Sequence, residues 1–270
     1  MKRLVTIAAT AALLGGVCAH AQPAQGQPVL VFAAGSLRGV VGDLGKAAGP
    51  ALGVEVKGEF GGSGLMRERI EKGEKPDLLM SADMGSPQKL AAAGRTVVPV
   101  IAFAKNRECV VAKTALGVTP ANLVDKLLDP KVRIKTSQPI ADPSGDYTWA
   151  IFDKIDALRP GAGKTLKAKG EANWSLTAQP AQGQTAQAAL FAQDKIDMAI
   201  VYCSAAVDKE LPGQLTSFPM PAALDPHPQY GVAVLSARPE ALRLALYLLS
   251  EKGQAIVAKN GLVPLTEPAH

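Results

Sequence analysis

Two rhythms of apolar and polar positions alternate along this chain. Short apolar runs with β-branched residues, VLVF at 29–32, CVVA at 109–112 and MAIVY at 198–202, have no wet face and predict strands buried on both sides, and DLLMS at 77–81 reads as another short strand. Residues 54–60, VEVKGEF, alternate instead, as a half-buried strand does. Further strands are expected at 97–103, 132–136, 215–218 and 230–235. Between them lie helical spacings, beginning with Leu37, Val40, Val41 and Leu44 in 37–48. Gly39, Gly42 and Gly45 weaken that helix, each by up to about 1 kcal/mol relative to Ala. Helices are also predicted over 65–72, 86–93, 121–128, from the end of the 141–148 loop to about 158, 240–250 and 254–259, and 186–192 forms one more apolar stretch. The sum is an α/β protein without an internal repeat.

Two of the strand-to-helix turns carry chemistry. VLVFAAGSL at 29–37 stops in small residues, and Ser36 stands where a helix N-cap belongs. FGGSG at 60–64 repeats the device with Ser63. Alone, each serine reads most simply as a cap. Two parallel strands that both end in small residues and a serine can instead aim two helix N-termini at one crevice, which is an anion-binding arrangement. The turn-rich loop 141–148 and the end of the MAIVY strand at Tyr202 are further candidate walls.

Composition narrows the partners. Residues 1–21 carry Lys2 and Arg3, an apolar run too short to span a bilayer, and Ala19-His20-Ala21, the pattern of a secretory signal peptide cleaved after Ala21. Losing those two cations takes the formal charge from +5 to +3. With 4% aromatic residues and no basic run, nucleic acid is not an expected partner, and stacking on sugars is disfavoured. A small polar ligand fits better.

Cys109 and Cys203 remain after processing, in a compartment where thiols oxidise. A disulfide between them and a pair of buried free thiols are both compatible with their apolar surroundings. His227 lies among prolines and His270 ends the chain, so neither a metal cluster nor a Ser-His-Asp arrangement is evident. GGSG is followed by Leu65, which breaks the Gly-x-Ser-x-Gly nucleophile pattern. An enzyme is not expected, nor a cofactor.

VFAAGSL at 31–37, FGGSG at 60–64 with RERIEKGEKPDLLMSAD at 67–83, ADP at 141–143, AIVYCS at 199–204, YGVAVL at 230–235 and the closing QAIVAKNGLVP together resemble the periplasmic molybdate-binding proteins of ABC importers, within the type II solute-binding proteins. The resemblance runs from Val29 to Pro264. It implies two doubly wound α/β lobes joined by hinge strands, with lobe one at 28–106 plus 229–266, lobe two at 107–228, and a ligand cleft between. It also implies a monomeric exported receptor that delivers molybdate or tungstate to a membrane permease. Ser36 and Ser63 match the family's ligand-binding serines and Tyr202 its tyrosine, while Thr148 and Gln184 fall where backbone amides donate. The same fold also serves receptors for other anions and small organic acids, and exported sensors.

The chain departs from that pattern at one place. Where molybdate binders offer a Pro-Ala-Gly type turn, it has Ser144-Gly145-Asp146-Tyr147-Thr148-Trp149, with Asp142 upstream. A carboxylate facing an oxyanion repels it. Helix capping or solvation is the simpler use of Asp142 and Asp146; an inward carboxylate would instead meet a hydroxyl, an amine or a chelated metal. Arg38 could neutralise a carboxylate ligand or lie on a solvated helix face.

Overall fold

The computed structural model describes residues 26–265, so the predicted signal peptide lies outside the described residues. Two sheets organise the chain. The first is built from β1 (Gly26–Ala34), β2 (Val54–Gly61), β3 (Leu78–Ser81), β4 (Ile101–Lys105), β9 (Gln229–Val234) and β10 (Val263–Pro264), in the order β10-β4-β9-β3-β1-β2. The second contains β5 (Glu108–Lys113), β6 (Ile134–Lys135), β7 (Met198–Tyr202) and β8 (Leu215–Pro219), in the order β6-β7-β5-β8. The chain leaves the first sheet through Asn106 and Arg107 and returns between β8 and β9, so two segments join the halves.

Each sheet is buried on both faces, which explains the unbroken apolar runs. Val29, Val31 and Ala33 of β1 enter one core with Leu37, Val40 and Leu44, while Phe32 enters another with Leu79, Leu90 and Ala233. In the second sheet Val110, Ala112, Met198 and Ile200 point one way and Val111 and Ala199 the other. This is the two-residue side-chain period applied to a sheet with helices on both sides.

Nine helices among the described residues cover these faces. α1 (Arg38–Leu52) follows a 3-10 turn at Gly35–Leu37 and runs straight through its glycines and Pro50. Packing explains this: a Cβ at Gly49 would sit 2.9 Å from the Val54 carbonyl oxygen, so small residues let α1 lie close on β2. α2 (Ser63–Glu71), α3 (Gly85–Ala92), α8 (Pro239–Leu249) and α9 (Glu251–Lys259) complete the first half. The second half has α4 (Leu123–Leu128), α5 (Pro143–Leu158), α6 (Ala162–Glu171) and α7 (Ala186–Ala192). α6 is not legible in the hydrophobic pattern, because its buried face is mostly small: Ala162, Gly163 and Gly170 around Leu166. β4 starts at Ile101 rather than 97, beyond Pro99, which has no N–H for the ladder.

Cys109 and Cys203 are joined by a disulfide, with Cα atoms 4.8 Å apart. It ties β5 to the turn after β7 beside the crossing segments. Trp149 and Trp174 stack with ring centroids 5.5 Å apart and belong to the packing of the second half.

Candidate functional site

The carboxyl ends of β1 and β2 point at the seam between the halves. Ala34 and Gly61 are register partners in the parallel β1–β2 pair, and Ser36 and Ser63 lie two residues beyond each. Neighbouring strands are about 4.8 Å apart, so the pairing delivers the two serines side by side. Neither acts as a helix cap: the 3-10 turn starts from Ala34, α2 starts from Gly62, and neither start has a side-chain capping bond. Ser63 is fully buried, and its hydroxyl accepts from the Ala82 amide at 3.0 Å. The Ser36 hydroxyl lies 3.1 Å from the Tyr230 hydroxyl. Asn106 Nδ2 donates to that tyrosine oxygen at 3.0 Å and to Ser204 Oγ at 2.9 Å, so Tyr230 can turn its own proton toward Ser36. Both serines are then held as acceptors within the first half and keep a proton to donate.

α2 adds amides. Its hydrogen-bond ladder opens with the Met66 amide on the Gly62 carbonyl, leaving the N–H groups of Ser63, Gly64 and Leu65 outside that ladder. Gly62 and Gly64 are also where the halves touch. A Cβ on Gly62 would overlap the Ala141 carbonyl oxygen, and one on Gly64 would overlap that of Ile140. Ile140 is a β-branched residue at φ 71°, held by its N–H on Asp146 Oδ1 at 3.0 Å. Such a residue in the left-handed region costs about 1–3 kcal/mol, sustained here at the loop that meets the first half.

The opposing wall is acidic and aromatic. Tyr202, at the end of β7, packs into the first half's core, with its ring centroid 5.6 Å from Tyr230 and 6.3 Å from Tyr147. Its hydroxyl is buried without a hydrogen-bond partner, and burial pushes it well above the usual phenol range. Glu108 stands opposite Tyr202 in the β5–β7 ladder and is 0% exposed, with neither carboxyl oxygen hydrogen-bonded. Burial, then the nearby Asp142 and Asp225, hold its carboxyl well above the ordinary range; the Ser144 hydroxyl works the other way.

Asp142 caps α5, its carboxylate accepting from the Ser144 amide at 3.2 Å, and the Gly145 amide bonds the Asp142 carbonyl at 2.9 Å. Burial raises its carboxyl. With Pro143 lacking an N–H, the first amides of α5 are spent inside the helix start. Thr148, the sixth residue of α5, lies where amides bond within the helix, and its hydroxyl donates to the Ser144 carbonyl at 2.7 Å. The Gln184 amide donates to the Ala181 carbonyl at 3.0 Å and its Oε1 accepts from the Ala181 amide at 3.2 Å, closing a local turn. The structure therefore brings Ser36, Ser63 and Tyr202 toward one seam and engages Thr148 and Gln184 elsewhere. Asn106, Glu108 and Tyr230 were not singled out by the sequence; the polar link AKNRE and the Tyr opening YGVAVL were the available signals. Arg38 stacks its guanidinium 4.3 Å over the Phe60 ring, on an exposed face.

A cavity of about 490 Å³ opens along the seam, between Arg67, Asp83 and Lys89 of the first half and Ile140, Asp146, Tyr147 and His227 of the second. Its charges are mixed. Asp83 is committed to α3, accepting from the Ser86 amide at 2.6 Å and the Ser86 hydroxyl at 3.0 Å. Among the described residues no group of three or more His, Cys, Asp or Glu side chains is arranged to hold a metal ion, and no helix is long and apolar enough to cross a membrane.

This arrangement of two sheets around a seam is similar to solved structures. The Azotobacter vinelandii periplasmic molybdate-binding protein superposes with a TM-score of 0.68 at 19% identity, covering 88% of this chain and 100% of that one. L-phospholactate-bound PEB3, a Campylobacter jejuni protein, gives 0.63 at 18% identity, covering 87% and 99%. The fold is that of the type II periplasmic binding proteins. In sequence, the uncharacterized protein PM1146 of Pasteurella multocida (strain Pm70) is 34% identical over 240 residues, 87% of this chain and 98% of the relative. Residues 29–263 match the family described as bacterial extracellular solute-binding protein, and with that match the chain belongs to this family of binding proteins rather than enzymes.

Proposed function

We propose that this protein is the receptor of an ABC importer for a small anion, gripped in the seam by Ser36 and Ser63 and closed over by Tyr202. The observation that carries the reading is the pair of register-matched serines whose oxygens are already satisfied inside the first lobe, leaving two protons for a ligand. A charge-assisted hydrogen bond contributes about 1.5–3 kcal/mol, and micromolar binding needs about 8 kcal/mol. Three hydroxyls and the leading amides of α2 reach that figure without a lysine or arginine. Lobe one is taken as 28–106 plus 229–266 and lobe two as 107–228. The 140–142 loop rests on Gly62 and Gly64, so a hinge motion would open and remake the seam at this contact, and the closed, monomeric form would dock on a membrane permease.

A tetrahedral oxyanion, molybdate or tungstate, is the first candidate, because hydroxyls and helix-end amides donate and such an ion only accepts. A second reading, a small organic acid, is favoured by the start of α5, where Asp142 and Pro143 leave lobe two with fewer amide donors than a fully deprotonated dianion wants. Calorimetric titration with molybdate, tungstate, sulfate, phosphate and small carboxylates tests both. Binding of carboxylates alone would remove the oxyanion reading, and binding of no anion would remove the anion receptor.

A further inference from the structure

The wall opposite the serines contains a group that no hydrogen bond explains. Glu108 is fully enclosed, and both its oxygens lack a partner. Its direction is fixed by register. Directly paired residues on neighbouring strands project from the same face, so Glu108 shares its face with Tyr202. Asn106, two residues earlier, donates to Tyr230, which contacts Ser36. Glu108 thus belongs to the cluster that begins at the candidate anion site.

The groups around it leave little choice of charge. Asp142 at the start of α5 and Asp225 before β9 are the charged residues acting on it, and both are acids. Glu108 acts on Tyr202 of β7, Tyr147 of α5 and Tyr230 of β9, and the Ser144 hydroxyl is the group that favours its charged form. His227, beyond Asp225 with Nδ1 3.8 Å from its carboxylate, is 75% exposed and lines the open seam cavity. An anion and an ionised Glu108 in one dry cluster of acids would repel each other. A protonated carboxyl would donate to the anion instead.

Resting on the anion-receptor reading, we propose that Glu108 is a ligand-contacting and specificity-determining residue of the cleft that meets the bound anion as a neutral carboxylic acid, so that binding takes up a proton from solvent wherever the free receptor has ionised it. The anion gains a fourth side-chain donor beside Ser36, Ser63 and Tyr202, and no fixed cation is required to balance its charge.

Molybdate, sulfate and lactate are suitable probes, since none of them titrates near neutrality. Each is titrated into the full protein in buffers of different ionisation enthalpy. In the pH range where the free receptor has ionised Glu108, binding of each probe takes up as much as one proton and Kd weakens by up to about tenfold per pH unit; below that range the carboxyl is already neutral and binding takes up none. Glu108→Gln, which donates but cannot titrate, loses both the uptake and the pH slope; Glu108→Leu weakens binding at least tenfold at every pH. Binding without proton uptake at a pH where melts of the ligand-free protein show Glu108 ionised, or uptake unchanged in Glu108→Gln, overturns the proposal and leaves the anion receptor intact. If no probe binds, the anion receptor falls, and Glu108 is judged on the ligand-free protein: its melting temperature declines from pH 5 to pH 8 more steeply in wild type than in Glu108→Gln, and equal slopes overturn the neutral carboxyl as well.

Discussion

Glu108 and Tyr202 stand opposite one another in the β5–β7 ladder, and among the described residues they hold the three buried side-chain oxygens that have no hydrogen-bond partner. Orphaned buried groups destabilise a fold by about 1–3 kcal/mol each. Their concentration at one register position, facing Tyr230 and Ser36, is what a binding wall looks like when the fold keeps polar atoms for something outside itself.

Tyr202→Phe separates the two contributions. Removing an unpaired buried hydroxyl leaves the ligand-free melting temperature unchanged or slightly raised, while the affinity for the bound anion falls about tenfold or more, as loss of a charge-assisted hydrogen bond requires. Thermal melts with and without anion check this. A lower ligand-free melting temperature with unaltered affinity would make Tyr202 a packing residue only.

Gly64→Ala tests closure. The added Cβ meets the Ile140 carbonyl across the seam, yet Gly64 lies in the first turn of α2, where alanine is a good helix former. The ligand-free protein keeps its melting temperature within a few degrees. Anion affinity drops at least tenfold, and the ligand-induced contraction seen by small-angle scattering disappears. Wild-type contraction in the variant would show that the lobes do not close through this contact.

The folded state retains a proton on Glu108 that the unfolded chain releases at ordinary glutamate pH, since burial holds the carboxyl high in the fold. The unfolded state therefore binds fewer protons above about pH 4.5, and stability falls as pH rises until Glu108 ionises in the fold as well. The slope from this one group is at most about 1.4 kcal/mol per pH unit. Denaturant melts at several pH values reveal it as the difference between wild type and Glu108→Gln.

The disulfide closes a long stretch, with Cys109 and Cys203 separated by 94 residues. The chain-entropy account assigns such a link about 4–5 kcal/mol, and measured values commonly reach 2–4. The Cys109→Ser, Cys203→Ser double variant is expected to lose roughly that amount in chemical denaturation. Because Glu108 and Tyr202 adjoin the two half-cystines, its anion affinity weakens too. Undiminished stability would mean that the β5–β7 pairing alone sets the geometry.

Strands buried on both faces were legible in the sequence, because VLVF, CVVA and MAIVY leave no polar face to hide. α6 was not, since small residues and lysines carry no stripe. Ser36 and Ser63 were legible as serines after strands, but their use was not: a cap and a ligand donor look alike until the Ala82 amide and Tyr230 are seen to occupy their oxygens. Asn106 and Glu108 escaped notice because an isolated polar residue at a strand edge normally points to water. Contacts far apart in sequence bury them, Asn106 against Tyr230 and Ser204 and Glu108 beside Tyr202. Thr148 and Gln184 depended on backbone amides, whose availability is set by local hydrogen bonding that side-chain identity does not encode.

The central claim, that two serines at neighbouring strand ends grip an anion, is tested most directly by one comparison of melting temperatures. With an anion at about a hundredfold its Kd, the wild type should gain roughly 2.7 kcal/mol, a rise of about 5–10 °C. In Ser36→Ala, Ser63→Ala that rise should vanish at the same concentration. An undiminished rise in the double variant would contradict the assignment.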